Sequence, residues 1–367
     1  MDVPNDGQPE LRKIFYETIV KEPIEIYGMY LTDVVEAPTS LQAAAYKICN
    51  EENKEFFLAV GASLTKEASY MFNAANSHED RFERFFIKEG TDTLIYYYDE
   101  NRNRMCYRLE NTDYRDAGAS FANYLLTQCD YQIKELKLEM LENPIQFCLG
   151  RTLPVCRKFE TTDSRETLLK WWLPKFPEQM EFVNFDDGVI DGIDEIVGTE
   201  IINLPQIMNA EYLRLEKKNE FGDEQLLACR IKDLSLDWGR VTESGINTFL
   251  TKWVYGDGVE GFKHASFGYP SEEMWHLFDG LEIKLWNEEF NTETDGFCER
   301  FLNFYKRKRP LAYNDFYQLL SKNDPFESLT VALNDSFIVV SATGKRVETE
   351  DGVLTRYSIP DNPYFYN

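Results

Sequence analysis

A short frame, apolar-x-x-apolar-x-apolar, recurs through the middle of this chain and limits its fold more than any other feature. Its last two apolar positions are two residues apart, which is the spacing of side chains on one face of a strand. Clear copies begin at residues 133, 180, 210, 231 and 262, and weaker copies begin at residues 156 and 278. Most successive copies start 21 to 31 residues apart. This period is typical of leucine-rich solenoids, in which each repeat buries its apolar face against its neighbours.

The stretches between copies favour helices or irregular crossovers. The frame therefore predicts an α/β protein built as a leucine-rich-repeat-like βα array. The matching copies IKELKL, at 133–138, and IKDLSL, at 231–236, favour true repeats. The alternative is coincidence, because the same apolar spacing is common in ordinary βα units. A solenoid usually serves as a surface that holds another protein.

The charge of the chain limits the classes of partner. Its 367 residues include 64 Asp and Glu against 39 Lys and Arg, a formal net charge of -25. Such a chain is repelled by nucleic acid backbones and by anionic lipid surfaces, and no run approaches the ~18 apolar residues of a membrane span. A basic protein is the partner that this charge favours. With 43% hydrophobic residues, the chain is long and apolar enough for most of it to fold around a core.

The local patterns predict four regions. Residues 1–10 are expected to be disordered, residues 11–80 to be helical, residues 81–118 to form an antiparallel β-meander, and residues 119–367 to form the array. A terminal hairpin is predicted within 327–359, with its turn at Asp351-Gly352. The clearest single helices are predicted at 11–20, 40–49, 63–75, 119–129, 164–173, 221–230, 242–254, 299–310 and 313–322.

The predicted helix at 242–254 carries the most specific motif. Ile246, Phe249, Leu250 and Trp253 follow helical spacing and form one apolar stripe, and Thr242 can cap the helix. Asn247 lies beside the stripe. It is expected either to hydrogen-bond the backbone at the edge of a neighbouring strand or to be solvated.

This segment resembles the type-2 F-box-associated domain of nematode F-box proteins. The motif Ile246-Asn247-Thr248-Phe249-Leu250-Thr251-Lys252-Trp253 and the following Gly256 carry the resemblance. It extends over an F-box-associated segment at 205–268 and, more loosely in order and spacing, over 130–359. The closing hairpin also looks like the terminal arms of that family.

The resemblance implies a recognition protein. Members of the family usually begin with an F-box, which docks on a Skp-type adaptor and thereby on a cullin–RING ubiquitin ligase. Here residues 10–62 stand in that place without the leading Leu-Pro, so the box is either diverged or absent. If it is present, the residues expected to dock the adaptor are Leu11, Ile14, Phe15 and Ile19.

The function implied is the substrate receptor of a Skp–cullin–F-box-type ubiquitin ligase. Its client would be a protein, in the family's pattern an antidote-type or immune-type target. The alternative is a scaffold that binds one protein stoichiometrically and has lost adaptor binding. The sequence offers no catalytic constellation, so neither an enzymatic activity nor a cofactor is expected.

Metal-site patterns are equally scarce. The three histidines, His78, His264 and His276, show no metal-ligand spacing. In the acidic loop after residue 185, Val189 and Gly198 occupy two places of an EF-hand loop that require oxygen ligands.

The seven cysteines are scattered without a CxxC pair. They indicate reduced thiols, and the acidic N-terminus resembles no targeting signal, so the protein is expected in the cytoplasm or the nucleus.

Two groups of residues are candidates for client binding. The carboxylates of the acidic loop suit a basic partner, although a solvated turn explains them as well. The adjacent tryptophans cannot both point inward on a helix, so one ring is expected to be exposed or to be covered by another element. These candidates are Asp186, Asp187, Asp191, Asp194, Trp171 and Trp172.

One basic cluster interrupts the acidic sequence, at Lys306, Arg307, Lys308 and Arg309. A nuclear-import signal or a partner contact is one interpretation of this cluster. The structural interpretation is that its cations complete the C-terminus of a helix that ends at Pro310.

Overall fold

The computed structural model describes a large part of the chain and divides it into two compact units. The units are Met1–Pro177 with Gly188–Ile190, and Glu178–Asp187 with Asp191–Asn367. The unit boundary therefore falls inside the predicted array. The described residues are 26–34, 69–76, 81–98, 104–113, 117, 135–139, 152–153, 155–162, 166–186, 196–268, 276–308, 315–333, 336–350 and 352–359.

The first unit contains a mixed sheet with the strand order β7-β6-β1-β2-β3-β4-β5. The neighbours β1, β6 and β7 are parallel, and the remaining pairs are antiparallel. A short helix, α1 (Glu166–Trp172), follows the last strand. The strands are β1 (Ile26–Val34), β2 (Ser69–Asn76), β3 (Arg81–Glu89), β4 (Asp92–Tyr98), β5 (Arg104–Leu109), β6 (Glu135–Glu139) and β7 (Lys158–Thr162).

The structure confirms the predicted meander in β3, β4 and β5, which pair in sequence. The helical expectation for 11–80 is wrong where that region is described, because β1 and β2 lie there. The predicted helix at 63–75 overlaps β2, which pairs with β1 on one edge and β3 on the other. Pairing on both edges outweighs the weak helical preference of this segment, since propensity alone decides little.

The second unit has a mixed sheet with the order β12-β13-β14-β15-β11-β10-β9-β8, and β16 pairs with β15. Its strands are β8 (Phe182–Asp186), β9 (Tyr212–Leu215), β10 (Asp233–Leu236), β11 (His264–Gly268), β12 (Ile283–Leu285), β13 (Asp315–Leu320), β14 (Ser328–Leu333), β15 (Phe337–Thr349) and β16 (Gly352–Tyr357). Its helices are α2 (Thr199–Ile202), α3 (Pro205–Met208), α4 (Asp223–Ala228), α5 (Glu243–Val254), α6 (Glu288–Glu293) and α7 (Phe297–Lys308).

Strands β8 to β11 form a parallel ladder in which the recurring frame stays in register. The middle apolar positions Val183, Leu213, Leu234 and Ala265 pair directly with one another. All four are at most 2% exposed. The last positions of the frame, which follow two residues later, form a second buried row of Phe185, Leu215, Leu236 and Phe267. The short strands that the frame predicts here are confirmed, and each buries its apolar positions against its neighbours.

Helix α5 packs through the predicted stripe, since Ile246, Phe249 and Leu250 are buried. Its start is fixed as expected, because the Thr242 hydroxyl accepts a hydrogen bond from the Gly245 amide at 3.1 Å. Asp223 at the start of α4 holds the cap in turn, accepting from the Thr242 amide at 2.7 Å and from its hydroxyl at 2.6 Å. The capping contacts therefore join neighbouring crossover helices.

The weak copy of the frame at 278 does not join the parallel ladder. Its strand, β12, pairs antiparallel with β13 at the edge of the sheet, and Ile283 is 41% exposed. The helix predicted at 313–322 is also wrong, because β13 lies there between β12 and β14. The predicted terminal hairpin is confirmed in β15 and β16. Gly352 adopts φ +130° at its turn, a conformation that favours glycine.

Aromatic side chains cover the sheet where α7 crosses it. The cluster includes Phe297 and Phe301 from α7, Phe316 from β13 and Val339 from β15, with Trp286 packed against it. The predicted helix at 299–310 is confirmed as α7. The side chains of its basic cluster lie outside the described residues, so the import interpretation stays a prediction.

Candidate functional site

The carboxyl ends of β8 and β9 place ionisable side chains next to one another in the second unit. On each strand the buried apolar positions alternate with polar ones, because successive side chains point to opposite faces. Asn184 on β8 pairs directly with Arg214 on β9. Asp186 and Glu216 lie two residues further along their chains, at the point where the two strands end.

The Glu216 carboxyl group has charged neighbours on both strands. Arg214 forms an ion pair with it, and the Asp186 carboxyl group lies at the end of β8. Burial, followed by the neighbouring Asp186 side chain, raises the pKa of Glu216 to about 7 against the opposing charge of Arg214. The Glu216 side chain is still 19% exposed. Glu216 therefore changes its charge near neutral pH, at a position that solvent reaches.

The loops that follow the strands hydrogen-bond to one another and so extend the ladder beyond its carboxyl edge. The Val197 amide donates to the Lys218 carbonyl at 2.9 Å, and the Asn219 amide donates to the Trp238 carbonyl at 3.3 Å. The Asn219 side chain braces its own turn, since its amide group donates to the Lys217 carbonyl and its oxygen accepts from the Phe221 amide. Residues 196–198, 217–222 and 237–240 thus form one ordered loop row at the carboxyl edge of the ladder.

A concave region lies at the opposite, amino-terminal end of the ladder, beside α4 and α5. Two of its cations are already engaged within the protein. The Lys232 ammonium binds Glu211 at 2.9 Å, and the Lys252 ammonium donates to the Leu227 carbonyl at 3.3 Å. These contacts leave this groove less suited to a charged ligand than the carboxyl edge.

The family-motif residues have structural positions. Ile246, Phe249 and Leu250 lie in the core, and Trp253 is half-buried. Asn247 does form hydrogen bonds with the backbone, but the backbone belongs to a turn and not to the edge of a strand. Its side-chain nitrogen donates to the Leu277 carbonyl at 3.0 Å and to the Asp279 carbonyl at 3.1 Å. The motif therefore ties α5 to the turn that follows the ladder.

The predicted client-binding residues are placed unevenly. Asp186 lies at the carboxyl edge, half-exposed. Trp172 is only 1% exposed, so its candidacy as a surface anchor is corrected: α1 directs it into the core. Its neighbour Trp171 is half-buried, with the Lys175 ammonium 3.9 Å from its ring centre. Asp187, Asp191 and Asp194 lie outside the described residues, as do the adaptor candidates Leu11, Ile14, Phe15 and Ile19 and the segment 1–10.

Other reactive groups are held in the interior. Cys156, Cys229 and Cys298 are buried, and burial raises the pKa of Cys229. His264 is buried with its Nδ1 atom 3.0 Å from the Ser341 hydroxyl, whereas His276 is exposed beside Asp279. Within the part of the chain that the structure describes, no group of three or more metal-ligating side chains comes together. No helix there is long and apolar enough to cross a bilayer.

Sequence reasoning missed three residues of this edge, Arg214, Glu216 and Trp238. Arg214 and Glu216 occupy alternate positions on the polar side of a strand that the frame located, so its period-two pattern held a signal for them. Trp238 follows Asp237 and precedes Gly239 directly after a predicted strand, where a large aromatic residue in a turn is unusual.

Comparison with known proteins gives one relative of interest. Over 252 residues the chain is 25% identical to an uncharacterized F-box protein of Caenorhabditis elegans, in a match covering 68% of this chain and 64% of that protein. The chain thus aligns with less than two thirds of the relative's length. No protein-family model matches the chain, and no solved structure matches it. The similarity agrees with the resemblance to nematode F-box proteins carried by the motif on α5.

Proposed function

We propose that this chain is the non-enzymatic substrate-recognition subunit of a Skp–cullin–F-box-type ubiquitin ligase, acting on a protein client in the cytoplasm or the nucleus. The observation that carries the proposal is the in-register parallel ladder of β8 to β11, whose ordered loop row offers a fixed surface to a partner. In this proposal the ladder is a leucine-rich-repeat-like array. Each unit needs its neighbours for stability, and the units together form an extended surface that binds a partner.

The ligase connection rests on similarity rather than on geometry. The relative over 252 residues is named an F-box protein, and the motif on α5 resembles the domain that accompanies F-boxes in nematodes. The N-terminal segment would then dock a Skp-type adaptor, while the array holds the client. A net charge of -25 would steer a basic client towards the array.

Purified full chain and a purified Skp-type adaptor are expected to form a complex. Replacing Leu11, Ile14, Phe15 and Ile19 together by aspartate should weaken it about 100-fold, because apolar anchors dominate such interfaces. Isothermal titration calorimetry measures both affinities. The matched control is Leu285→Asp, which changes a leucine that is 54% exposed in the second unit and should leave adaptor binding unchanged.

Two results would decide against the ligase assignment. Failure of the unmodified chain to bind the adaptor would favour the alternative, a stoichiometric scaffold without ubiquitin transfer. If the variant with all four aspartate substitutions binds the adaptor as tightly as the unmodified chain, these four residues are excluded as the adaptor contact.

A further inference from the structure

An exposed tryptophan stands at the carboxyl edge of the ladder. Trp238 is 61% exposed and Ile196 is 46% exposed, whereas the frame residues of the ladder are buried. Both lie in the loop row: Trp238 follows the end of β10 closely, and Ile196 precedes Val197, whose amide donates to the Lys218 carbonyl. A large aromatic ring in water costs solvation free energy unless a partner covers it, and tryptophan is the side chain most enriched in binding hot spots.

Hydrogen bonds and an ion pair order the backbone of the loop row on both sides of Trp238. Besides the contacts of Asn219, the Arg240 amide donates to the Phe221 carbonyl at 2.7 Å. The Arg240 guanidinium also binds Glu220 at 3.0 Å. A preorganised surface loses little conformational entropy on binding, so more of the contact energy appears as affinity.

The side chains near the ends of β8 and β9 have more hydrogen-bond acceptors than donors. Asp186 and Glu216 bring two carboxyl groups to the ends of β8 and β9, and Arg214 forms an ion pair with Glu216. Asn184 is 6% exposed, and its side-chain oxygen has no hydrogen-bond partner among the residues that the structure describes. Such a shortage of donors suits a ligand that brings an ammonium or guanidinium group.

Register fixes the distance between the tryptophan and the carboxyl pair. The Asp237 amide donates to the Leu215 carbonyl at 3.1 Å, so Trp238 follows a residue that lies beside the end of β9. Asp186 ends β8, two strand spacings from β10, which is about 10 Å. An extended peptide crosses that distance in about three residues.

We propose that the carboxyl edge of the ladder docks an extended segment of the client that carries a lysine or arginine two or three residues from an apolar side chain. The apolar side chain covers Trp238 and Ile196, and the cation binds at Asp186 and Glu216. This inference rests on the proposed function, since it locates the client site of a recognition subunit.

The test uses phage-displayed random peptides selected on the full chain. Selected peptides are expected to combine a basic residue with an apolar residue at that spacing. In fluorescence anisotropy with a selected peptide, Trp238→Ala should weaken binding roughly tenfold. Asp186→Asn should weaken it about fivefold. The matched control is Tyr255→Ala, which removes a 53% exposed aromatic side chain at the end of α5 and should leave binding unchanged.

The same peptide provides a second readout through pH. The charged groups nearest Glu216 are Asp186 on β8 and Arg214 on its own strand, and Asp237 occupies the neighbouring register position just after β10. Glu216, whose pKa is raised to about 7 mainly by burial, is mostly protonated below neutral pH and carries a negative charge above it. Affinity for the basic peptide should therefore rise about fivefold between about pH 6 and about pH 8, and Glu216→Gln should remove that rise.

The proposal is overturned if no peptide is selected, if the selected peptides lack the basic residue, or if Trp238→Ala and Tyr255→Ala bind equally well. Adaptor binding is measured separately. Peptide binding without adaptor binding would therefore support this site and reject the ligase assignment. Adaptor binding without peptide binding would support the ligase assignment and reject this site.

Discussion

Replacing Leu234 by alanine is expected to lower the free energy of unfolding of the second unit by about 3 kcal/mol. Leu234 is the middle apolar residue of its copy of the frame, 2% exposed and paired with Leu213 on one side and Ala265 on the other. Removing its branched end leaves a cavity between rigid strands, which relaxes only partly. Urea denaturation followed by circular dichroism measures the change.

The control for this substitution is a leucine of the same sheet that lies outside the ladder. Leu285 on the edge strand β12 is 54% exposed, so Leu285→Ala should change the free energy of unfolding by less than about 0.5 kcal/mol. Equal effects of the two substitutions would contradict the placement of the frame in the core.

Substituting Gly268 by alanine is expected to destabilise the second unit by about 2 kcal/mol or more. A Cβ atom at this position would lie 2.0 Å from the Asp237 carbonyl oxygen and 2.7 Å from its carbonyl carbon. Because these are backbone atoms, the end of β11 or the turn after β10 has to move. The shift should also disturb Trp238, the next residue, so binding of the selected basic peptide should weaken in this variant.

Gly222→Ala, in the loop row at the carboxyl edge of the same ladder, provides the matched control. Around Gly222 the nearest atoms to an added Cβ are 3.6 Å and 3.7 Å away, an ordinary contact. Its unfolding free energy should change by less than about 1 kcal/mol. Thermal melts of both variants would show the difference directly. A Gly268→Ala protein as stable as the control would mean that β11 and the β10 turn are not in close approach.

The local fold of the ladder could be predicted because its signal is dense and short-ranged. Each copy of the frame places two apolar residues on one strand face, and burial of that face is favourable whatever the partner strand is. The helix at 242–254 was similarly well marked, since Thr242 and the apolar stripe around Ile246 specify its start and its buried side.

Long-range pairing could not be predicted in the same way. The segment around Phe316 has apolar residues compatible with a helix, yet it lies between two antiparallel neighbours, β12 and β14. The copy at 278 fits the frame, but its strand joins the opposite edge of the sheet. In both cases the deciding contacts come from residues distant in sequence, which a local window does not contain.

The candidate site could be predicted only in part from the sequence, for a related reason. Asp186 stood out because an acidic run follows it. Glu216 and Trp238 stand alone in sequence and gain meaning from the register that brings the ends of β8, β9 and β10 together. Their proximity is a consequence of the ladder rather than of any motif.

Everything proposed for the carboxyl edge depends on that register. A double-mutant cycle between Leu213→Ala and Leu234→Ala tests it most directly, with Leu213→Ala and Leu329→Ala, the latter on β14, as the distant reference pair. If the two leucines are direct neighbours, their coupling free energy should be about 0.5 to 1.5 kcal/mol, while the reference pair should be additive within about 0.5 kcal/mol. Equal additivity in both pairs would contradict the parallel ladder.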